Sequence, residues 1–200
     1  MPSPTRSRSL RRFFDQWFYQ PGHPALDVEQ AYFPGSNLYT IQVGQTQDRS
    51  VEPLFHFDVN VEFNYPTAPR EHRRLRITSA DTTFRVAVPE KPTFVRFDEG
   101  DWLFADIDLT QAADELAAMA RTDDEMAGRY DAVEALAALP ENPLVRQALL
   151  DALRDGHPLV RRRAVDGLAR YLRAPGVAEA LLRLTRDPDP LVRTATLTVL

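Results

Sequence analysis

Residues 13–28 read FFDQWFYQPGHPALDV, and this stretch decides the fold because it separates a helical start from the region that follows. Its aromatic run ends at the turn sequence Pro21-Gly22-His23-Pro24. Apolar residues recur before that turn at three- and four-residue spacing, as on one helix face: Leu10, Phe13, Phe14, Trp17 and Phe18. The helix carries more aromatic surface than it can bury in itself, which predicts an interface.

A period of two residues replaces the helical period over residues 36–108. In residues 55–65, FHFDVNVEFNY, six apolar residues alternate with five polar ones, which predicts a half-buried strand of an antiparallel sheet. Shorter alternations occur at 39–43, 75–77, 84–88 and 102–104. Together they predict a small β-sandwich. The polar row of the long strand is expected to be a solvated face rather than a metal site: His56, Asp58, Asn60 and Glu62.

Residues 109–200 are helical and repetitive. The sequence Pro-Leu-Val-Arg begins at Pro158 and again at Pro190, 32 positions later, and many apolar residues share this offset. A fixed period that spans two helices indicates an α-solenoid. The predicted fold class is therefore α+β: an N-terminal aromatic helix, an antiparallel β-sandwich and a helical solenoid.

The stretch FFDQWFYQPGHP resembles the end of the catalytic domain in aminopeptidase N-type (gluzincin) zinc metallopeptidases. The Pro-Leu-Val-Arg helix starts resemble HEAT repeats. This resemblance implies a terminal helix and linker of a missing catalytic domain at 1–35, a β-sandwich at 36–108 and HEAT-like repeats at 109–200. The chain would then be the non-catalytic C-terminal portion of a protein that removes N-terminal residues from peptides. Its solenoid would cover the active site.

The peptidase zinc is not held by this chain, because the sequence contains no HExxH motif. We therefore predict no catalytic, cofactor or metal residues here and no activity of the chain alone; the resemblance implies zinc only for the parent protein. The expected interface with the missing catalytic domain consists of five residues: Phe13, Phe14, Trp17, Phe18 and His23. A catalytic role for His23 and a membrane anchor with Arg11 and Arg12 are the weaker alternatives.

Two other functional interpretations stay open. A non-enzymatic scaffold, as in a transcription-initiation subunit similar to these peptidases, would bind another protein through the same modules. A bilin-lyase-like repeat protein would explain residues 126–200 but not the rest. Because the aromatic helix and the last repeat at Leu200 both expose surface, we expect a piece of a longer protein, or a short protein that self-associates.

Composition excludes several further classes. The net charge of -5 argues against a general nucleic-acid binder, and no apolar run reaches the length of a membrane span. The absence of cysteine excludes disulfides and fits a cytoplasmic location. We expect the arginines at 161–163, 170 and 173 to form a salt-bridged helix face rather than a phosphate site.

Overall fold

The computed structural model describes residues 11–200, apart from the side chain of Arg12, and confirms the α+β class. These residues form two β-sheets and seven α-helices. Leu10, the first residue of the predicted helix face, lies outside the described residues. The chain folds into two compact units. The helical unit contains 111–200 with two short pieces, 62–71 and 92–96; the other described residues form the sheet unit.

The elements follow one another in the order that the sequence periods predict. Helix α1 (Arg11–Phe14) continues as a π-helical turn (Asp15–Tyr19). The strands are β1 (Ala25–Phe33), β2 (Leu38–Gln45), β3 (Phe57–Asn64), β4 (Glu71–Ile77), β5 (Asp81–Ala87), β6 (Phe94–Phe97) and β7 (Asp106–Thr110). The later helices are α2 (Ala113–Thr122), α3 (Met126–Ala138), α4 (Pro143–Ala152), α5 (Pro158–Leu168), α6 (Val177–Leu184) and α7 (Pro190–Val199).

The first sheet contains a strand that the sequence interpretation places in a linker. Its order is β5-β2-β1-β7, so β1 lies inside the sheet with Leu26 and Val28 buried. Strand β1 pairs antiparallel with β2 and parallel with β7, so this sheet is mixed rather than purely antiparallel. The parallel pair joins residues about 80 positions apart, which alternation within one segment does not reveal.

The second sheet has the order β4-β3-β6, and the predicted alternation of β3 is confirmed. Its apolar residues, together with Phe55 just before the strand, are buried: Phe55, Phe57, Val59, Val61 and Phe63. One polar residue departs from the predicted solvated face, because Glu62 is only 5% exposed. Its carboxylate accepts a hydrogen bond from the amide of Asn64, which replaces part of the lost hydration.

The strand predicted at 102–104 is wrong, because these residues form a loop between β6 and β7. Trp102 is 82% exposed and Phe104 is 74% exposed. Asp98, Gly100 and Asp101 all have positive φ values, which turn the chain sharply before it reaches Trp102. The alternation there is thus a property of an exposed loop.

The helical unit repeats its geometry with the period of its sequence. Helices α5 and α7 begin at Pro158 and Pro190, where the missing N–H of proline is not needed. The residue before each proline caps the helix with its side chain: His157 accepts from the N–H of Leu159, and Asp189 plays the same part for α7. Helix α5 packs along α3, and α7 packs along α5.

A ladder of charged side chains links successive repeat units. Arg129 donates to the carboxylate of Asp155 through Nε at 2.7 Å and Nη2 at 3.2 Å. Arg161 donates to Asp187 in the same way, at 2.9 and 2.8 Å. The fork of each arginine therefore fixes the turn of the following unit by two parallel bonds.

The first aspartate of the ladder, Asp123, pairs with an arginine that lies on a strand rather than on a helix. Arg96 of β6 is 3% exposed and places Nε 3.5 Å from a carboxylate oxygen of Asp123. Gly128 makes room for this pair, because an added Cβ would collide with Asp123 and lie 3.1 Å from Cζ of Arg96. The later units have Val160 and Val192 at the equivalent position.

No helix within residues 11–200 is long and apolar enough to cross a bilayer.

Candidate interface site

Three phenylalanines of the N-terminal segment form an exposed cluster. The ring centroid of Phe14 lies 5.7 Å from that of Phe13 and 5.2 Å from that of Phe18. Their exposed fractions are 51% for Phe13, 41% for Phe14 and 66% for Phe18. A contiguous apolar patch of this kind is typical of an interaction surface. We call Phe13, Phe14 and Phe18 the phenylalanine cluster.

Trp17 does not belong to that cluster, although its spacing predicts one shared face. Its ring packs on Phe55 with a centroid distance of 5.5 Å. The preceding residue, Gln16, is 8% exposed and accepts from the N–H of His56 at 2.8 Å while donating to its carbonyl at 3.0 Å. The π-helical turn thus presents Gln16 and Trp17 to the sheet unit, while the phenylalanines remain exposed.

Gln16 is one of three buried glutamines that satisfy the backbone before β3. Gln45 accepts from the N–H of Phe55 at 3.0 Å and donates to its carbonyl at 2.9 Å. Gln47 donates to the carbonyl of Pro53 at 2.9 Å. Because this segment has no strand partner of its own, side chains replace the missing ladder bonds. The sequence held one clue, since Gln45 and Gln47 continue the buried parity of β2.

His23 lies in the turn after the aromatic segment and contacts strand β7. Its Nε2 is 2.9 Å from the carboxylate of Asp106, and its ring centroid is 5.3 Å from that of Phe104. The side chains of His23 and Asp106 are 37% and 82% exposed, so their pairing contributes little to stability. A catalytic histidine needs a nucleophile as well as this carboxylate, and Asp106 is the polar partner found among residues 11–200.

Trp102 and Phe104 form a second group of exposed aromatic residues. The alternation in the sequence predicts a strand for them. Phe104 contacts His23, so this group adjoins the turn that leads out of the aromatic segment. The signal that could have found it is the turn sequence Asp98-Glu99-Gly100-Asp101 directly before Trp102. A strand that started there would have to begin inside a turn.

Several of the remaining polar candidates make structural contacts. Asp58, from the polar row of β3, accepts from Arg74 at 2.8 Å. In the arginine series, Arg161 pairs with Asp187, and Arg163 lies 2.7 Å from Glu134. The prediction of a salt-bridged helix face is thus confirmed for Arg161 and Arg163.

The exposed interface candidates form an aromatic surface that is suited to contact with another molecule. The sequence lacks HExxH, the motif whose two histidines hold the catalytic zinc in the peptidase family that it resembles, so the absence of zinc ligands in this chain stays a prediction. The interface candidates are aromatic, and aromatic side chains supply large contact area at low entropic cost.

Comparisons with known proteins agree with this architecture. Residues 146–200 match the model for HEAT repeats. A crystal structure of Legionella pneumophila aminopeptidase A in complex with aspartic acid is similar to 95% of this chain, with a TM-score of 0.61 and 14% identity. At that identity the similarity shows a shared fold. The chain spans 28% of the length of that aminopeptidase chain. No curated protein matches the sequence.

Proposed function

We propose that this chain is the non-catalytic C-terminal portion of a zinc aminopeptidase-like protein. In that role it joins the peptidase domain to the helical repeats and covers the peptidase domain. The phenylalanine cluster is the contact with that domain, and the catalytic zinc belongs to the partner. The single observation that carries the proposal is an exposed aromatic cluster on a segment that is itself firmly fixed.

The fixation of the aromatic segment supports an interface more strongly than exposure alone. Gln16 and Trp17 hold the segment on the sheet unit, so the phenylalanine cluster is presented without the ordering entropy of a loose tail. Trp102 and Phe104 supply further aromatic surface, and His23 contacts Phe104. Interfaces that last are rich in such aromatic residues near their centres.

The extent of the structural similarity supports the choice of partner. The similarity to an aminopeptidase structure covers 95% of this chain. An interaction scaffold without peptidase activity would use the same phenylalanine cluster with a different partner. The two candidates differ in what precedes the cluster in the full protein, and that difference is measurable.

The experiment compares this chain with the gene product extended upstream. Both are assayed for zinc content and for cleavage of peptides from their N-termini. We expect zinc and activity in the extended protein alone. Zinc and activity absent from both would leave the interaction scaffold as the better description.

A variant tests the phenylalanine cluster separately from the chemistry. Phe18→Ser is expected to leave the stability of the 200-residue chain unchanged, because Phe18 is 66% exposed there, and to lower the unfolding midpoint of the extended protein. Val51→Ser is the matched control, since Val51 is also 66% exposed in the sheet unit. Equal effects of the two substitutions on the midpoint of the extended protein would contradict the assignment of the phenylalanine cluster to the interface.

A further inference from the structure

Strand β7 forms one edge of the first sheet, where it has a neighbouring strand on one side only. The N–H of Asp106 donates to the carbonyl of Pro24 at 2.9 Å, so this residue directs its backbone groups toward β1. In a β-strand the backbone groups of successive residues point to opposite sides. Ile107 and Leu109 therefore direct their N–H and C=O groups away from β1. Among residues 11–200 no strand pairs with that side of β7, which is an open sheet edge.

The outward face of the sheet beside this edge is acidic. Asp106 and Asp108 are exposed on β7, and the side chain of Asp106 is 82% exposed. Asp108 lies beside Asp27 of β1 in the register of the two strands, and Glu29 follows on the same exposed face. His23 contacts one of these four carboxylates, that of Asp106. The border of the open edge therefore carries an excess of negative charge.

The inward face of the same edge is apolar and only partly covered. Ile107 and Leu109 lie beside Leu26 and Val28 of β1 in the register. These two β1 side chains are 2% and 0% exposed, whereas Ile107 and Leu109 remain half-buried. The apolar layer thus loses cover at β7, where the sheet ends. One further strand with apolar residues on this face would remove that surface from water.

We propose that β7 is a docking edge for an extended segment of a partner protein in which arginine or lysine alternates with apolar residues. The backbone of the segment continues the hydrogen-bond ladder at Ile107 and Leu109. Its basic side chains contact Asp106 and Asp108 on the outward face, and its apolar side chains cover the inward face. In strand addition of this kind, main-chain hydrogen bonds supply affinity and alternate side chains supply specificity. This edge is distinct from the phenylalanine cluster and does not depend on a peptidase parent.

The charge of the edge selects against a second copy of this chain. Pairing of β7 with β7 of another copy would bring Asp106 and Asp108 against the same acidic residues, and like charges directly opposite one another destabilise a strand pair. The basic strand that the chain does contain, β4, uses Arg74 and Arg76 for Asp58, at 2.8 and 3.8 Å. The occupant therefore brings basic residues of its own, which charge complementarity favours.

The test uses a capped synthetic peptide in which arginine alternates with valine, titrated into the 200-residue chain by calorimetry. We expect saturable binding that weakens as salt is added, because the ion pairs are exposed. The N–H groups of Ile107 and Leu109 are expected to gain protection from hydrogen exchange on binding, since they become part of a ladder. Absence of binding, or binding without this protection, would overturn the proposal.

Two variants with an equal loss of charge test where the peptide lies. Asp108→Asn removes a carboxylate beside the docking edge, and we expect about threefold weaker binding, the contribution of one exposed ion pair. Asp81→Asn is the matched control, because Asp81 is exposed on β5 at the opposite edge of the same sheet. Three strand spacings, about 14 Å, separate the two edges, so screening by salt leaves the affinity of this variant unchanged. Equal effects of the two substitutions would overturn the assignment of the peptide to β7.

A peptide with methylated backbone nitrogens tests the hydrogen-bond ladder separately from the charges. It keeps every arginine and valine side chain but cannot donate main-chain hydrogen bonds, so we expect its binding to be lost at physiological salt. Binding that survives methylation would show attraction to the acidic face alone and would overturn strand addition.

The concentration dependence of hydrogen exchange tests a second copy as the occupant. Without peptide, we expect the protection of the N–H groups of Ile107 and Leu109 to be the same at low and high protein concentration. Protection that rises with concentration would assign the edge to another copy of the chain and overturn the proposal.

Discussion

The sheet unit and the helical unit satisfy their buried polar groups in different ways. The helical unit uses one device at a fixed period: an arginine fork that reaches the aspartate of the next turn, at Arg129 and again at Arg161. The sheet unit uses separate devices, such as Gln16 and Gln45 on neighbouring backbone groups. A periodic device can be found by comparing a sequence with itself, whereas a singular one requires the structure.

Substitution of Gln45 should have the largest effect on stability, and it tests whether the sheet unit needs the hydrogen bonds of this side chain. Gln45→Ala leaves the N–H and carbonyl of Phe55 unsatisfied in the interior, and we expect a loss of about 4 kcal/mol in the free energy of unfolding. Both tryptophans lie in the sheet unit, so fluorescence during urea unfolding reports this change. Gln42→Ala, on the exposed face of the same strand, is the control; similar losses from both would show that the amide of Gln45 is not essential.

Removal of a ladder aspartate should come next and tests the periodic device. Asp155→Ala leaves Arg129 without its carboxylate in a site where the arginine side chain is 18% exposed, and we expect a loss of about 3 kcal/mol. Far-ultraviolet circular dichroism follows the helical unit during unfolding. Asp123→Asn should have a smaller effect, because the contact of Arg96 with Asp123 is longer. A larger loss at Asp123 than at Asp155 would reverse this ranking of the ladder.

The aromatic segment permits a comparison between adjacent residues. Trp17→Ala should lower the free energy of unfolding by about 2 kcal/mol, since half-burial on Phe55 gives part of the usual loss for a tryptophan. Phe18→Ala should change it by less than about 0.5 kcal/mol. The measurement is urea unfolding followed by circular dichroism. Equal losses would mean that the phenylalanine cluster packs within this chain.

The smallest expected effect is on the pH dependence of stability, which should differ between the aspartates of the ladder. Burial tends to raise the pKa of Asp155, but hydrogen bonds from Arg129 and from the N–H of His157 outweigh it and hold the pKa below its ordinary value. A hydrogen bond from Arg161 likewise lowers the pKa of Asp187. The stabilisation from both is present above the ordinary carboxyl pKa, and is lost as the pH falls through the lowered values.

Asp123 should show the opposite sign, because its burial raises its pKa. Its ionised form is disfavoured in the folded state, so protonation as the pH falls favours folding. We therefore expect Asp187→Asn to flatten the acid limb of stability below about pH 4, and Asp123→Asn not to flatten it. Unfolding midpoints measured across the acid range test this, and identical profiles for the two variants would contradict it.

The sequence predicts the helical unit better than the sheet unit for a physical reason. In the repeats, the residues that contact one another are separated by a constant interval, so the offset from Pro158 to Pro190 locates both helices. In the sheets, alternation identifies the buried face of β3 but not its partners. The resemblance implies a linker at residues 25–33, and the pairing of β1 with β7, which makes this segment a strand, depends on residues far along the chain.

The sequence likewise predicts only part of the arrangement of the interface candidates. Helical spacing places Phe13, Phe14, Trp17 and Phe18 together, and the structure brings the three phenylalanines into one cluster. It separates Trp17, because the π-helical turn widens the helix there and directs the indole to Phe55. A regular helical period does not predict a π-helical turn. The sequence therefore could not distinguish Trp17, which packs on the sheet unit, from the three exposed phenylalanines.

Gly128 has a consequence for how such a chain lengthens by gene duplication. Internal units with valine at this position, such as those of Val160 and Val192, can be copied next to one another without a clash. The first unit is not interchangeable with them, since recombination that brought valine to position 128 would force a side chain into Arg96 and Asp123. Duplication is therefore expected to be tolerated downstream of the first unit, whereas the glycine at position 128 has to be kept where the first unit meets Arg96.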